Sequence, residues 1–122
     1  MHEMSLMESV REIVEDAARA NGARRVTTVR LRIGALAAVD PEALRFCFDV
    51  VMHGSVAAGA ALEIDSEPGE AWCWDCAAAV VLLAEGADCP TCGGHRLQVT
   101  GGTEMRVKDI DLATEAESST CA

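Results

Sequence analysis

Four cysteines in two pairs carry the clearest chemistry in this sequence: Cys73-Trp74-Asp75-Cys76 and, after twelve intervening residues, Cys89-Pro90-Thr91-Cys92. Two residues between paired cysteines let both sulfurs of a tight turn face one point, and two such knuckles supply the four ligands of a tetrahedral ion. Zinc prefers that geometry and thiolate set. Iron also takes four thiolates, so the spacing defines the site more closely than the metal. The alternatives are two unrelated thiol pairs or a disulfide-exchange motif, which would need only one pair, normally opening a helix after a strand. Four cysteines leave no open coordination position, so a zinc ion held here is structural. Gly93-Gly94 suits the turn that closes around it. Between Cys76 and Cys89 the only sizeable apolar run is Val80 to Leu83, too little to order the segment. Structural zinc brings about 10–16 kcal/mol of apparent binding energy, so the unit is predicted to unfold without metal. His95 is either a competing ligand, a hydrogen-bonding neighbour of a thiolate or an ordinary exposed histidine.

A second constellation is the N-terminal tripeptide Met1-His2-Glu3. The terminal amine, the amide nitrogens of His2 and Glu3 and the His2 imidazole are joined by short chelate rings. Nitrogen donors confined to a plane are what Ni(II) and Cu(II) favour. The amides must lose protons to bind, so affinity falls on acidification. Histidine in second place is bulky, and the initiator methionine is expected to be retained. The bland reading is an incidental exposed histidine ahead of a helix, where the helix dipole disfavours a cation; Glu3, Glu8 and ionised amides offset that field. Asp40 is a candidate extra carboxylate or a helix N-cap, His53 a C-terminal dipole partner or surface residue, and Cys47 core packing. No Ser/His/Asp set, phosphate loop or paired-carboxylate arrangement stands out, so the chain is read as having no catalytic centre.

Composition narrows the partners. A chain of 122 residues, half of them apolar, buries a core without help and is too short for a second full domain. Phe46, Phe48, Trp72 and Trp74 are the only aromatics, which leaves no base-stacking surface, and a net charge of -10 repels phosphate. Proteins and cations are the expected partners, with neither nucleic acid nor membrane among them. Glu3, Glu8, Arg11 and Glu12 interrupt any signal-peptide run, so a cytoplasmic, reducing location is expected.

The elements that must position these residues follow from periodicity. Leu6, Met7, Val10, Ile13, Val14 and Ala17 mark an amphipathic helix over Met4–Ala20, stopped by Asn21-Gly22. Val29, Leu31 and Ile33 alternate with Thr28, Arg30 and Arg32, a half-buried strand over 26–33. Asp40-Pro41 opens a second helix to about His53, with Leu44, Phe48, Val51 and Met52 inward and Cys47 beside them. Ala61–Asp65 alternates again. Periodicity gives way at Glu67-Pro68-Gly69 and resumes near Leu97 and Val99. Met105 and Val107 then alternate with Arg106 and Lys108, and the frame slips near Asp109 so that Ile110 and Leu112 continue it. The polar, acidic segment 114–122, with its lone Cys121, is expected to be disordered.

Met1-His2-Glu3-Met4-Ser5 at the start, Arg32-Ile33-Gly34 at a strand end, the two knuckles and the closing Gly102-Thr103-Glu104-Met105-Arg106-Val107-Lys108 together resemble the hydrogenase maturation nickel metallochaperones of the HypA/HybF family, over nearly the whole chain. The resemblance implies an α+β fold: two helices on a small antiparallel sheet (67–96 excluded, so 1–66 and 97–113) forming a nickel-binding domain, with a zinc-ribbon-like domain of four cysteines inserted at 67–96. It implies transient Ni(II) at Met1, His2 and Glu3, with Glu3 helping partner docking or site geometry. The implied partners are a nickel-handling maturation GTPase and the large subunit of a [NiFe]-hydrogenase, with urease maturation proteins as a further possibility. The competing reading is a zinc-ribbon protein-protein interaction module with no nickel role.

Overall fold

The structure, a computed structural model, describes residues 2–113. In chain order it contains α1 (Glu3–Ala20), β1 (Arg25–Gly34), α2 (Pro41–Met52), β2 (Ala61–Glu67), β3 (Gly69–Cys73), β4 (Ala78–Leu82), β5 (Leu97–Gly101) and β6 (Met105–Ala113). Met1 and the segment 114–122, including Cys121, lie outside the described residues, and with them the expectations of a chelating amine and a disordered tail.

Contacts divide the chain into two compact units, one of which takes in Arg32–Ala38 and Asp65–Arg106. The other is built on α1, α2 and the sheet β2-β1-β6. In this helical unit α1 buries Met7, Val10, Val14 and Ala18 along one stripe, packed against α2, which buries Leu44, Cys47, Phe48, Val51 and Met52. Ile13, placed inward by the sequence pattern, is 51% exposed, and Ala18 replaces Ala17 in the stripe. Helix ends follow the expected chemistry. The Asp40 carboxylate accepts the Glu42 N–H at 3.0 Å with Pro41 in the first turn. Gly22, at φ 62, closes α1: its N–H donates to Arg19 O and the Ala23 N–H to Ala18 O, a paired C-terminal cap that needs a left-handed residue.

Arg24 N–H donates to Ala113 O at one end of β1 and Gly34 N–H to Glu104 O at the other, so β6 runs antiparallel to β1. This is the expected antiparallel pairing. On the opposite edge, Val26 N–H bonds to Val56 O, Arg30 reaches Glu63 and Ala35 N–H bonds to Glu67 O, pairings that advance in the same direction along both chains. β2 is therefore added in parallel, with α2 as the crossover that a parallel pair requires. On the wet face Arg30 bonds Glu63, Asp109 and Asp111 at 2.8 to 3.2 Å, tying all three strands together. Along β6, Met105, Val107, Ile110 and Leu112 are half-buried while Lys108 and Asp109 are both exposed, the frame slip read from the sequence.

The second unit is a sheet of order β4-β3-β5, antiparallel throughout, with Cys73 opposite Ala78 on one side and Leu97 on the other. Leu36, Ala71 and Leu82 form its small core, with Val80, Ala87 and Leu97 packed against them. Leu97–Gly101 thus pairs with β3 beside the cysteines, whereas the domain division read from the sequence assigns it to the first sheet.

Candidate metal centre

The first knuckle begins at the end of β3 and the second follows the loop after β4. Each is closed by backbone bonds. Cys76 N–H points at Cys73 Sγ at 3.4 Å, while Cys89 N–H donates to Gly94 O at 2.9 Å and Gly93 N–H to Cys89 O at 2.8 Å. The residue after the second cysteine of each knuckle is left-handed: Gly93 at φ 72 and Ala77 at φ 53, the only non-glycine with positive φ among the described residues. Trp74 N–H bonds to Arg96 O at 3.0 Å and the Arg96 guanidinium meets Asp75 at 3.0 Å, holding the knuckle to the strand that follows.

All four sulfurs lie within 4.8 Å of one another. Cys73 and Cys92 are 3.7 Å apart, and Cys76 and Cys89 are 3.8 Å apart. A regular tetrahedron of sulfurs about 2.3 Å from a zinc ion has an edge of about 3.8 Å. The donor set therefore fits zinc closely, and a disulfide, at about 2.05 Å, is not formed by either pair. The two knuckles converge on one point, which removes the reading of unrelated pairs.

Crowding also separates the thiols. Cys76 is pushed up to about 12, chiefly by its contact with Cys92 and then Cys73. Cys89 is drawn down to about 6, chiefly by the Cys92 backbone N–H, with the Thr91 N–H adding to it. Four clustered sulfurs cannot all ionise unaided, and a divalent cation supplies the missing positive charge. His95, with its side chain 85% exposed, turns its Nδ1 to Asp88 at 3.2 Å, which matches the ordinary exposed histidine of the three readings.

At the other candidate site, His2 is exposed at the N-cap of α1 and its side chain makes no capping bond. Its carbonyl accepts the Leu6 N–H at 3.1 Å. Glu3, half-buried, opens the first turn. Asp40 is engaged as a helix cap, His53 is exposed beyond α2, and Cys47 is buried in the core. Sequence reasoning did not single out Ala77, although its place matches that of Gly93, and it passed over the exposed apolar residues Met4, Phe46 and Val50.

A small α+β protein whose four thiolates close on one point belongs to the metal-binding proteins. The family model described as "Hydrogenase/urease nickel incorporation, metallochaperone, hypA" matches residues 1–112. The hydrogenase maturation factor HypA of Dechloromonas aromatica is 56% identical over 112 residues, covering 92% of this chain and 99% of that one. That of an Azoarcus species is 58% identical, covering 92% and 98%. The solution structure of the Ni metallochaperone HypA from Helicobacter pylori superposes with a TM-score of 0.68 at 29% identity, covering 94% of this chain and 100% of that one. The chain belongs to the HypA family of nickel metallochaperones for hydrogenase maturation. A zinc-ribbon module with no nickel role is thereby set aside.

Proposed function

We propose that this chain captures Ni(II) at its N-terminus, through the Met1 amine, the amide nitrogens of His2 and Glu3 and the His2 imidazole, and passes it on while a structural zinc on Cys73, Cys76, Cys89 and Cys92 holds the second unit folded. The observation that carries the nickel reading is the exposed His2, with an imidazole uncommitted to capping, immediately ahead of α1. Glu3 is the first helical residue, so its N–H belongs to the orphan donors of a helix start and its loss breaks no helical bond.

The arrangement is not yet that of a chelate. A five-membered ring through the amide nitrogens of His2 and Glu3 needs them nearly eclipsed about the Cα–C bond of His2, whereas ψ there is 104°. Loading turns His2 from the extended into the bridge region, which residues at functional sites often occupy. The Leu6 bond to His2 O survives if the rotation moves the atoms preceding that carbonyl.

The recipients proposed are a nickel-handling maturation GTPase and, through it, the large subunit of a [NiFe]-hydrogenase, with urease maturation as a second destination; the setting is the cytoplasm. No described helix is long and apolar enough to cross a membrane. Exposure suits handover over storage, because a partner reaches the ion and displaces ligands one at a time. Copper outranks nickel on nitrogen donors, so selectivity rests on copper scarcity and partner choice. The division of labour proposed is nickel binding by 1–66 and 97–113 and zinc binding by 67–96, with β5 lent to the zinc sheet.

The test is calorimetric titration of untagged, zinc-loaded protein with Ni(II), beside His2→Ala, following the absorption of planar nickel. One site lost on substitution supports the reading. Equal binding in both proteins places nickel elsewhere.

A further inference from the structure

The sheet of the cysteine unit has an open edge at β5, which pairs with β3 alone. Which of its backbone groups are free follows from the alternation of an antiparallel ladder. Trp74 N–H donates to Arg96 O at 3.0 Å, and the register continues with Cys73 opposite Leu97, Trp72 opposite Gln98 and Ala71 opposite Val99. Bonded pairs fall at every second position, so Arg96 and Gln98 turn their N–H and C=O groups to β3, while those of Leu97 and Val99 point out of the edge. Among the described residues no turn, loop or side chain takes these groups up. The register shift opposite Glu70 leaves Thr100 without a partner and ends the regular edge there.

The same two residues stand beside an apolar cavity. Leu97 and Val99, with Leu36 and Leu82, line a space of about 430 Å³ on the core face of this sheet, where Val99 remains 49% exposed. Directly opposed residues of an antiparallel pair point to the same face. A strand laid along this edge therefore places the residues opposite Leu97 and Val99 over the cavity and the one opposite Gln98 on the outer face. The stretch Leu97-Gln98-Val99 carries no Lys or Pro to guard it against pairing. Its rim is acidic. Glu85 and Asp88 border the cavity, no Lys or Arg does, and Glu85 makes no ion pair among the described residues, whereas Asp88 meets the His95 imidazole at 3.2 Å. A second copy of this chain, with its net charge of -10, would set two acidic rims against each other; a segment bearing Lys or Arg is attracted to them.

We propose that β5 accepts a short extended segment of a partner protein as a fourth, antiparallel strand of this sheet. Two aliphatic side chains at alternate positions enter the cavity over Leu97 and Val99, and a flanking Lys or Arg meets Glu85. Main-chain bonds to Leu97 and Val99 align the segment, while the cavity and the acidic rim select it. The site lies wholly in the cysteine unit and stands apart from the nickel reading of the N-terminus.

The probe is the capped peptide Lys-Val-Thr-Ile-Lys, titrated into zinc-loaded full chain and followed by the amide resonances of Leu97 and Val99. Methylating the backbone nitrogens of its Val and Ile removes the donors to Val99 O and Leu97 O, whereas the Thr nitrogen faces away. The expected result is saturable binding that shifts both resonances, weakens by about tenfold on Val and Ile methylation through loss of two backbone bonds, and persists on Thr methylation. Val99→Asp should weaken binding to a similar extent, and Glu85→Lys should transfer preference to the peptide Glu-Val-Thr-Ile-Glu. Val81→Asp, at an exposed valine on the other face of the sheet, should leave binding unchanged. Zinc content and tryptophan fluorescence check the fold of each variant, and peptide methylation tests the proposal with the wild-type chain alone. No saturable shift at millimolar peptide, equal loss on Thr methylation, equal loss in Val81→Asp, or indifference to Glu85→Lys overturns the proposal. Resonances of Leu97 and Val99 that move with protein concentration alone also overturn it, by giving the edge to a second copy.

Discussion

Ala77 and Gly93 occupy equivalent left-handed positions, one in each knuckle, and exchanging their types in turn gives a test with opposite signs. A left-handed conformation costs an L-residue about 1–2 kcal/mol relative to glycine. Introducing glycine also loosens the unfolded chain, returning about 0.4–1 kcal/mol of that gain. Ala77→Gly is therefore expected to stabilise the folded knuckle by roughly 0.5–1 kcal/mol. A Cβ added at Gly93 would meet nothing within 4 Å, so Gly93→Ala carries the same conformational cost with no clash to add to it. Because a small metal unit folds as it binds, these energies appear directly in zinc affinity. At 1.4 kcal/mol per factor of ten, Ala77→Gly should bind zinc roughly two- to fivefold more tightly and Gly93→Ala roughly two- to fivefold more weakly. Competition against a chromophoric chelator at fixed pH reads both, with the double exchange returning near wild type. If both substitutions shift affinity in the same direction, or Ala77→Gly weakens it, the backbone account of the knuckles is wrong.

Acidification from neutral pH should weaken zinc binding more steeply once pH falls below about 6, where Cys89 gains a proton that the metal must also displace; chelator competition across pH gives that slope. An N-terminal extension of a few residues should abolish the nickel site as fully as His2→Ala while leaving one zinc per chain, measured by elemental analysis. The Asp111 carboxyl is held below its ordinary range, chiefly by its hydrogen bonds from Arg30, so its contribution to stability is present above the ordinary carboxylate pKa and lost as pH falls through the lowered one. Arg30→Met should flatten that part of the acid-unfolding curve, and an unchanged curve would show the sheet-face cluster to be inert. Leu44→Ala, at a fully buried position in α2, should lower the stability of the helical unit by about 2–5 kcal/mol in denaturant unfolding and leave zinc content intact.

Periodic elements were legible in the sequence because each has one wet face. Val10 and Val14, the Arg30 alternation, the Asp40-Pro41 start and the slip at Asp109 all report a boundary between core and water, and the structure has them in place. The strands of the cysteine unit were not legible. β3 reads Gly-Glu-Ala-Trp-Cys and β4 reads Ala-Ala-Val-Val-Leu: their inward positions, Ala71 and Cys73 in one and Val80 and Leu82 in the other, are small or have apolar neighbours, so burial alternates without a polar–apolar alternation to announce it. Leu97 and Val99 looked like a return to the first sheet: alternation shows that a strand exists without showing its neighbour. The sulfur cluster was read correctly from spacing because Cys-X-X-Cys sets its geometry locally. The tie between Arg30 and Asp109 joins residues 79 apart in the chain, which no local pattern announces.

Trp72 and Trp74 flank Cys73 on either side, their rings 6.2 Å apart and edge to face, and the chain contains no tyrosine. Near-ultraviolet light selective for indole is therefore absorbed and emitted only within one residue of a sulfur ligand, while the amide dichroism of this protein comes largely from α1 and α2. The molecule is thus optically divided along the same line as its two folding units. A single unfolding experiment that follows both signals can ask whether loss of zinc melts one unit alone or both together, with no label attached to the terminus at which nickel capture is proposed.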